Sequence, residues 1–162
     1  YWSFFFIRTL DFQLKISYII TVHFSKNIKT MKYDFFCPTC NSVLNVNNNI
    51  VLAIQRDNNE SGLIFLDTVL GNYTKVKHSS LKINEGEIVK IYCPVCHKDL
   101  LCLPDKNLAR LMIKDNDGEK LTVLFSVKYG EESTYLVKDK KIEKTFGKHS
   151  ANINFEMLSL CT

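Results

Sequence analysis

The residues with the clearest chemical potential in this chain are four cysteines, which occur as two Cys-Pro-x-Cys turns. A Cys-x-x-Cys turn points two sulfurs at one ion from a single bend of the backbone, and two turns supply the four thiolates of a tetrahedral zinc site. We call residues 37–40 knuckle 1 and residues 93–96 knuckle 2. The spacing predicts one structural Zn²⁺ whose ligands are Cys37, Cys40, Cys93 and Cys96.

The segments that flank the two knuckles match each other. In both, an apolar residue and an aromatic residue precede the first cysteine, and a leucine, Leu44 or Leu100, follows the second cysteine by four positions. Asn41 and His97 stand directly after the second cysteines, and both residue types are enriched in the left-handed backbone region. A repeated motif with shared flanks indicates a metal site more strongly than one Cys-x-x-Cys pair, which redox enzymes also use.

Three other uses of these cysteines stay open. Four thiolates also bind a mononuclear iron for electron transfer, and ligand type alone does not separate iron from zinc. A thioredoxin-like dithiol would begin a helix, whereas strand-like runs flank both knuckles. Residues 93–97 also spell the c-type haem attachment pattern, which leaves knuckle 1 unexplained. We expect His97 to lie outside the ligand set. Cys102 is expected to be a buried or half-buried thiol, and Cys161 is expected to be a thiol of the C-terminal tail.

Composition favours a folded domain without a broad charged surface. The chain has 162 residues, of which 46% are hydrophobic, and this is enough for one core. Its net charge of +4 comes mostly from residues 1–30, because 17 basic and 16 acidic residues remain from Met31 onward. This balance offers no extended patch for nucleic acid or anionic lipid. A protein is therefore the expected partner, nucleic acid is less favoured, and a membrane is not expected.

The first thirty residues differ from the rest of the chain. We interpret residues 1–30 as a non-native upstream or disordered extension, since the first methionine is Met31. Their apolar runs, 4–7 and 16–24, are shorter than the ~20 residues of a membrane span, and no signal-peptide cleavage pattern follows them. The expected domain covers residues 31–147, with a second meander part over about 105–147, and residues 148–162 are expected to form a flexible tail.

From Met31 onward the sequence consists of short strand-like runs separated by turn residues. We expect a surface excursion over residues 68–86, and one helical turn over 107–111 capped by Asp105. The predicted fold class is mainly β, with a double knuckle, an inserted β segment and a C-terminal β-meander. Predicted strands cover 33–36, 42–46, 50–55, 63–67, 88–92, 99–103, 111–114, 120–128, 133–137 and 142–146.

These features resemble zinc-ribbon-like and rubredoxin-like proteins, in which two β-hairpins each present a Cys-Pro-x-Cys knuckle. Residues 31–146 are also similar to a group of small uncharacterised bacterial proteins. That group shares the paired knuckles, an Asn-Leu-Ala-(Arg/Lys) segment as at residues 107–110, and an Asp-x-x-Gly hairpin as at residues 115–118. The resemblance implies a zinc-ribbon fold with the four knuckle cysteines as ligands, and it implies no activity.

Residues for catalysis do not occur with a recognisable spacing. The sequence has no evident nucleophile with its base, paired carboxylates or glycine-rich phosphate loop, and His78 lies in a polar, loop-like stretch. We therefore expect a non-enzymatic, zinc-stabilised binding or adaptor protein. A thiol redox or rubredoxin-like electron-transfer protein is the alternative, and a nucleic-acid-binding zinc ribbon is third. Free cysteines beside paired metal-type motifs favour a reducing, cytoplasmic location.

Overall fold

The described part of the chain contains ten β-strands and no helix, and its sequence consists of short runs in which apolar and polar residues alternate. The computed structural model describes residues 33–103, 105–114 and 118–151, all of which belong to one unit, Lys32–Thr162. The predicted extension over residues 1–30 and most of the predicted tail lie outside these residues. The strands are β1 Phe35–Phe36, β2 Asn45–Val46, β3 Asn49–Gln55, β4 Ser61–Asp67, β5 Lys75–Lys77, β6 Lys90–Tyr92, β7 Leu108–Lys114, β8 Lys120–Ser126, β9 Thr134–Lys138 and β10 Lys141–Phe146.

The strands form two antiparallel sheets. Sheet 1 has the order β1-β7-β8-β9-β10, so its last four strands follow the chain as a meander. Sheet 2 has the order β2-β3-β4-β5, and β6 pairs with β3 on the edge that β2 also uses. Within the described ranges, no helix has the length and apolar content that a membrane crossing requires.

Each knuckle connects one sheet to the other. Knuckle 1 leads from β1 in sheet 1 to β2 in sheet 2. Knuckle 2 leads from β6 in sheet 2 to Leu101, which forms a bridge with Ala109 of β7 in sheet 1. The two knuckles therefore run between the sheets in opposite directions, and both lie where the sheets approach each other.

The main core lies between the two sheets. Alternate residues of β3, namely Ile50, Leu52 and Ile54, are buried against residues of sheet 1 such as Leu111 and Ile113. Full burial of an aliphatic side chain of this size stabilises a fold by roughly 1.5–3 kcal/mol. Cys37 and Cys93 belong to the same cluster, so the first sulfur of each knuckle is part of the core.

A second, smaller cluster contains residues of the meander. It consists of Cys102, Leu108, Leu124, Tyr135 and Val137, with Ile142 packed against it. Leu108 and Leu124 each stand next to a residue of the main core, Ala109 in β7 and Val123 in β8, so part of the opposite face of these strands is also apolar.

The mainly β fold class is confirmed, but the helical turn predicted over residues 107–111 is wrong, and the strand predicted over 99–103 forms only isolated bridges at Asp99 and Leu101. Residues 107–111 form no helical turn, because Leu108 already begins β7 and pairs with Ser126. Asp105 instead closes a tight turn, in which its Oδ1 accepts from the Asn107 amide at 2.9 Å. The surface excursion over residues 68–86 contains β5, whose Lys-Val-Lys sequence has too little apolar content to predict a strand.

Candidate metal centre

The two knuckles have the same backbone structure. In knuckle 1 the amide of Asn41 donates to the Cys37 carbonyl at 3.0 Å, and the amide of Cys37 donates to the Ser42 carbonyl at 3.0 Å. Knuckle 2 repeats both hydrogen bonds at 3.0 Å. Asn41 and His97 each have a φ angle of 58°, which is the left-handed conformation expected at these positions. Each tight turn thereby places its two sulfurs on one side of the chain.

The leucine after each knuckle fixes the hairpin on the core. Leu44 donates its amide to the Phe35 carbonyl at 2.8 Å, and Leu100 donates to the Ile91 carbonyl at 2.9 Å. Both leucine side chains are buried. The repeated leucine in the sequence is therefore the residue that closes each hairpin and anchors it between the sheets.

The structure brings the four predicted cysteines together, and all their Sγ atoms lie within 4.8 Å of one another. The distances from Cys37 to Cys96 and from Cys40 to Cys93 are both 3.8 Å. Neighbouring sulfurs of a tetrahedral site with Zn–S bonds of about 2.3 Å lie about 3.8 Å apart, whereas a disulfide bond measures about 2.05 Å. The four thiols are free and are spaced as the ligands of one metal ion.

The cluster has a buried side and an accessible side. Cys37 and Cys93 are 0% exposed, Cys96 is half-buried and Cys40 is exposed. Three backbone amides point at the buried sulfurs. Thr39 N lies 3.4 Å from Cys37 Sγ, and Val95 N and Cys96 N lie 3.4 Å and 3.5 Å from Cys93 Sγ. Such N–H···S contacts favour thiolate over thiol, as expected for metal ligands.

Electrostatics differ between the two sides of the cluster. Burial raises the pKa of the Cys37 thiol and raises that of Cys93 to about 12. Hydrogen bonding to Ser42, whose Oγ lies 3.3 Å from Cys40 Sγ, lowers the pKa of Cys40 to about 6. A divalent cation among the sulfurs would overcome the effect of burial, because a coordinating thiol loses its proton.

The other predicted residues lie outside this cluster. His97 is exposed and does not belong to the cysteine cluster. Among the described residues, the four cysteines are the group whose ligand atoms come close enough to share a metal ion. His78 is also exposed, and its Nδ1 lies 2.7 Å from Ser80 Oγ within its own loop. Cys102 is buried but disulfide-bonded, so the expectation of a thiol there is wrong. Ser42 was not among the predicted residues, although a hydroxyl two positions after Cys40 was an available signal.

Comparison with known proteins adds no relative. The chain matches no protein-family model, no curated protein and no solved structure. The resemblance to small bacterial proteins with paired knuckles consequently stays a prediction from the sequence.

Proposed function

We propose that Cys37, Cys40, Cys93 and Cys96 hold one structural zinc ion and that the domain it stabilises is a non-enzymatic binding or adaptor module. The observation that supports this most directly is the pair of 3.8 Å sulfur distances between knuckles. Four protein thiolates fill the coordination sphere of Zn²⁺ and leave no position for a substrate or water. A closed site of this kind stabilises a fold and does not catalyse a reaction.

The position of the cluster supports a structural role. Each knuckle belongs to a hairpin that passes between the sheets, and two of the four sulfurs lie in the shared core. An ion bound there would join the two sheets by four bonds. Because the ligands are not assembled in an unfolded chain, the free energy of metal binding contributes to the free energy of folding.

A binding role is supported by the outer face of sheet 2. Leu63 and Val76 are 46% and 58% exposed on that face, beside the half-buried Phe65 and Tyr92. The pairs Phe65 with Val76 and Ala53 with Tyr92 place these side chains on the same surface. Contiguous exposed apolar residues of this kind mark protein-interaction surfaces. A protein partner is thus favoured over nucleic acid. The free knuckle thiols favour a reducing, cytoplasmic location, whereas the disulfide at Cys102 argues against one.

Iron is the second candidate for the same site. Four thiolates bind iron with the same geometry, and the exposed Cys40 would bring an iron centre close to the surface for electron exchange. In that case the protein would transfer electrons, and zinc would be an incidental replacement.

Metal analysis of the purified full chain tests the proposal. We expect one zinc per chain, no visible absorption, and unfolding when a strong chelator removes the ion. Charge-transfer bands of an iron–thiolate centre in the visible spectrum would favour electron transfer. A chain that stays folded and metal-free in the presence of zinc would contradict both proposals.

A further inference from the structure

The four sulfurs of the candidate metal centre differ in their access to solvent. Cys37 and Cys93 are 0% exposed, Cys96 is half-buried and Cys40 is exposed. Among the free thiols of the described residues, Cys40 is thus the one that a dissolved reagent reaches most easily. Oxidation of a cysteine depends on the exposure and the thiolate character of its sulfur, and a metal ligand is a thiolate. Cys40 is therefore the point at which an oxidant would enter the cluster.

A second sulfur lies within reach of Cys40. The Sγ atoms of Cys40 and Cys93 are 3.8 Å apart, and both residues are free thiols. A disulfide bond measures about 2.05 Å, so the two sulfurs would have to approach each other by about 1.8 Å. Burial protects Cys93 from dissolved reagents. Cys93 would therefore be oxidised through Cys40 rather than directly.

Knuckle 2 offers the same arrangement with less access. Cys96 Sγ lies 3.8 Å from Cys37 Sγ, and Cys37 is as fully buried as Cys93. Because the two diagonal pairs have equal distances, the different exposure of Cys40 and Cys96 decides which pair reacts first. Cys102 does not compete, since it is buried and already disulfide-bonded. We expect oxidation at Cys40 before oxidation at Cys96.

Given the zinc site proposed above, we propose that Cys40 is a modification site at which hydrogen peroxide opens the metal centre, and that a Cys40–Cys93 disulfide completes the reaction. The Cys40 sulfur attacks one peroxide oxygen. An S–O bond forms, the O–O bond breaks, and the other oxygen leaves as water after it takes up a proton. The Cys93 sulfur then attacks the Cys40 sulfur, an S–S bond forms, and the S–O bond breaks to release a second, likewise protonated water. Each sulfur loses one electron, and the peroxide gains two.

The disulfide removes two of the four metal ligands. Cys37 and Cys96 stay thiolates, whereas a structural zinc site uses four protein ligands. The affinity for the ion falls accordingly, and zinc is released. Because the new bond joins knuckle 1 to knuckle 2, the two hairpins keep a covalent link in place of the metal.

Addition of one equivalent of hydrogen peroxide to the purified, zinc-loaded full chain tests the proposal. A chromophoric chelator that is too weak to remove zinc from the untreated chain measures the zinc released. Mass spectrometry of proteolytic peptides, after alkylation of the remaining thiols, identifies the disulfide. We expect zinc release in step with formation of the Cys40–Cys93 disulfide. Dimedone, which traps sulfenic acids, should label Cys40. The zinc content before peroxide is added tests the zinc site by itself.

Two ligand variants form a matched pair. Cys40→Ser and Cys96→Ser each remove one ligand, but Cys96→Ser keeps the reactive pair and should still form the Cys40–Cys93 disulfide. Cys40→Ser keeps Cys37 and Cys96 and should form a disulfide more slowly. Should either variant fail to fold, the peptide map of the wild type decides.

Three results would overturn the proposal and leave the zinc site standing. They are zinc that stays bound after peroxide treatment, first oxidation at Cys96, and a first disulfide that lacks Cys40 or Cys93. A chain that holds no zinc before peroxide is added would overturn both the proposed function and this modification site.

Discussion

The Sγ atom of Cys37 lies 3.8 Å from that of Cys96, which belongs to the other knuckle. Cys40 and Cys93 repeat this diagonal relationship at the same distance. Each diagonal pair joins one fully buried sulfur to one that is more accessible. The sulfur–sulfur distances between the knuckles are therefore as short as those of a closed four-thiolate site, although the knuckles belong to separate hairpins.

Replacement of one ligand should remove most of the metal affinity. Cys93→Ser is expected to lower zinc affinity by more than the ~10–100-fold that loss of an outer hydrogen-bond partner causes, since a bond to the metal itself is lost. Competition with a chromophoric chelator measures this affinity. Val95→Ala changes an exposed side chain of the same knuckle and should bind zinc like the wild type. Equal affinity in Cys93→Ser would show that the ion binds elsewhere.

His97 should be dispensable for the metal and constrained only in its backbone. At a φ angle of 58°, a residue with a side chain is less stable in the folded state than glycine by ~1–2 kcal/mol. Glycine offsets ~0.5–1 kcal/mol of this advantage, because it makes the unfolded chain more flexible. His97→Gly is thus expected to change the free energy of unfolding little, whereas His97→Val should lower it, because a β-branched residue adopts a positive φ angle less readily than histidine does. Denaturant unfolding and zinc content of both variants check this, and zinc loss in His97→Gly would make His97 a ligand.

Much of the candidate site could be predicted from the sequence because its chemistry is local. The spacing of each cysteine pair, the left-handed residue after it and the leucine that follows all depend on a few consecutive residues. The mistaken helical turn at residues 107–111 arose because an apolar run after an Asp fits a helix start as well as a strand. Pairing with β8 and the bridge from Leu101 to Ala109 decide the outcome, and both partners lie outside the segment itself. The burial of Cys37 and Cys93 likewise depends on how two sheets meet.

Leu44 and Leu100 should contribute equally to stability, since each closes one knuckle hairpin and is buried. Leu44→Ala and Leu100→Ala are each expected to lower the free energy of unfolding by ~2–5 kcal/mol, the usual effect of such truncations in a core. Leu103→Ala, at an 88% exposed leucine, is the control and should have little effect. Thermal or denaturant unfolding at saturating zinc measures these values. A small effect of only one core variant would contradict the equivalence of the knuckles.

The ion pair between Arg56 and Glu87 should make stability depend on pH. Arg56 Nη2 lies 3.0 Å from Glu87 Oε2, and this guanidinium lowers the pKa of the Glu87 carboxyl. A carboxyl whose pKa is lower in the folded state stabilises the fold above its unfolded pKa of about 4.3, and this contribution disappears as the pH falls through the folded value. Glu87→Gln should therefore be less stable than wild type at pH 7, and the difference should shrink below about pH 4. A difference that is independent of pH would contradict this role.

Gly147 should tolerate alanine much less than Gly118 does. Both have positive φ angles, 92° and 81°, which alone disfavour alanine by ~1–2 kcal/mol. A Cβ atom on Gly147 would also overlap the Glu132 carbonyl and Tyr73 Oη, whereas one on Gly118 meets nothing within 4 Å. We expect Gly147→Ala to lose ~1–3 kcal/mol more than Gly118→Ala in denaturant unfolding, as for other overpacked sites. Equal losses would mean that the surrounding loop yields without strain.

The opposite directions in which the two knuckles cross between the sheets imply a twofold relationship within one polypeptide. The first half, β1 to β4, contributes β3 as the partner of β6, and the second half, β6 to β8, contributes β7 as the partner of β1. Each half alone lacks a pairing partner for one of its strands, and it supplies only two of the four sulfurs. The two halves of the domain thus depend on each other both for strand pairing and for a complete set of four sulfurs.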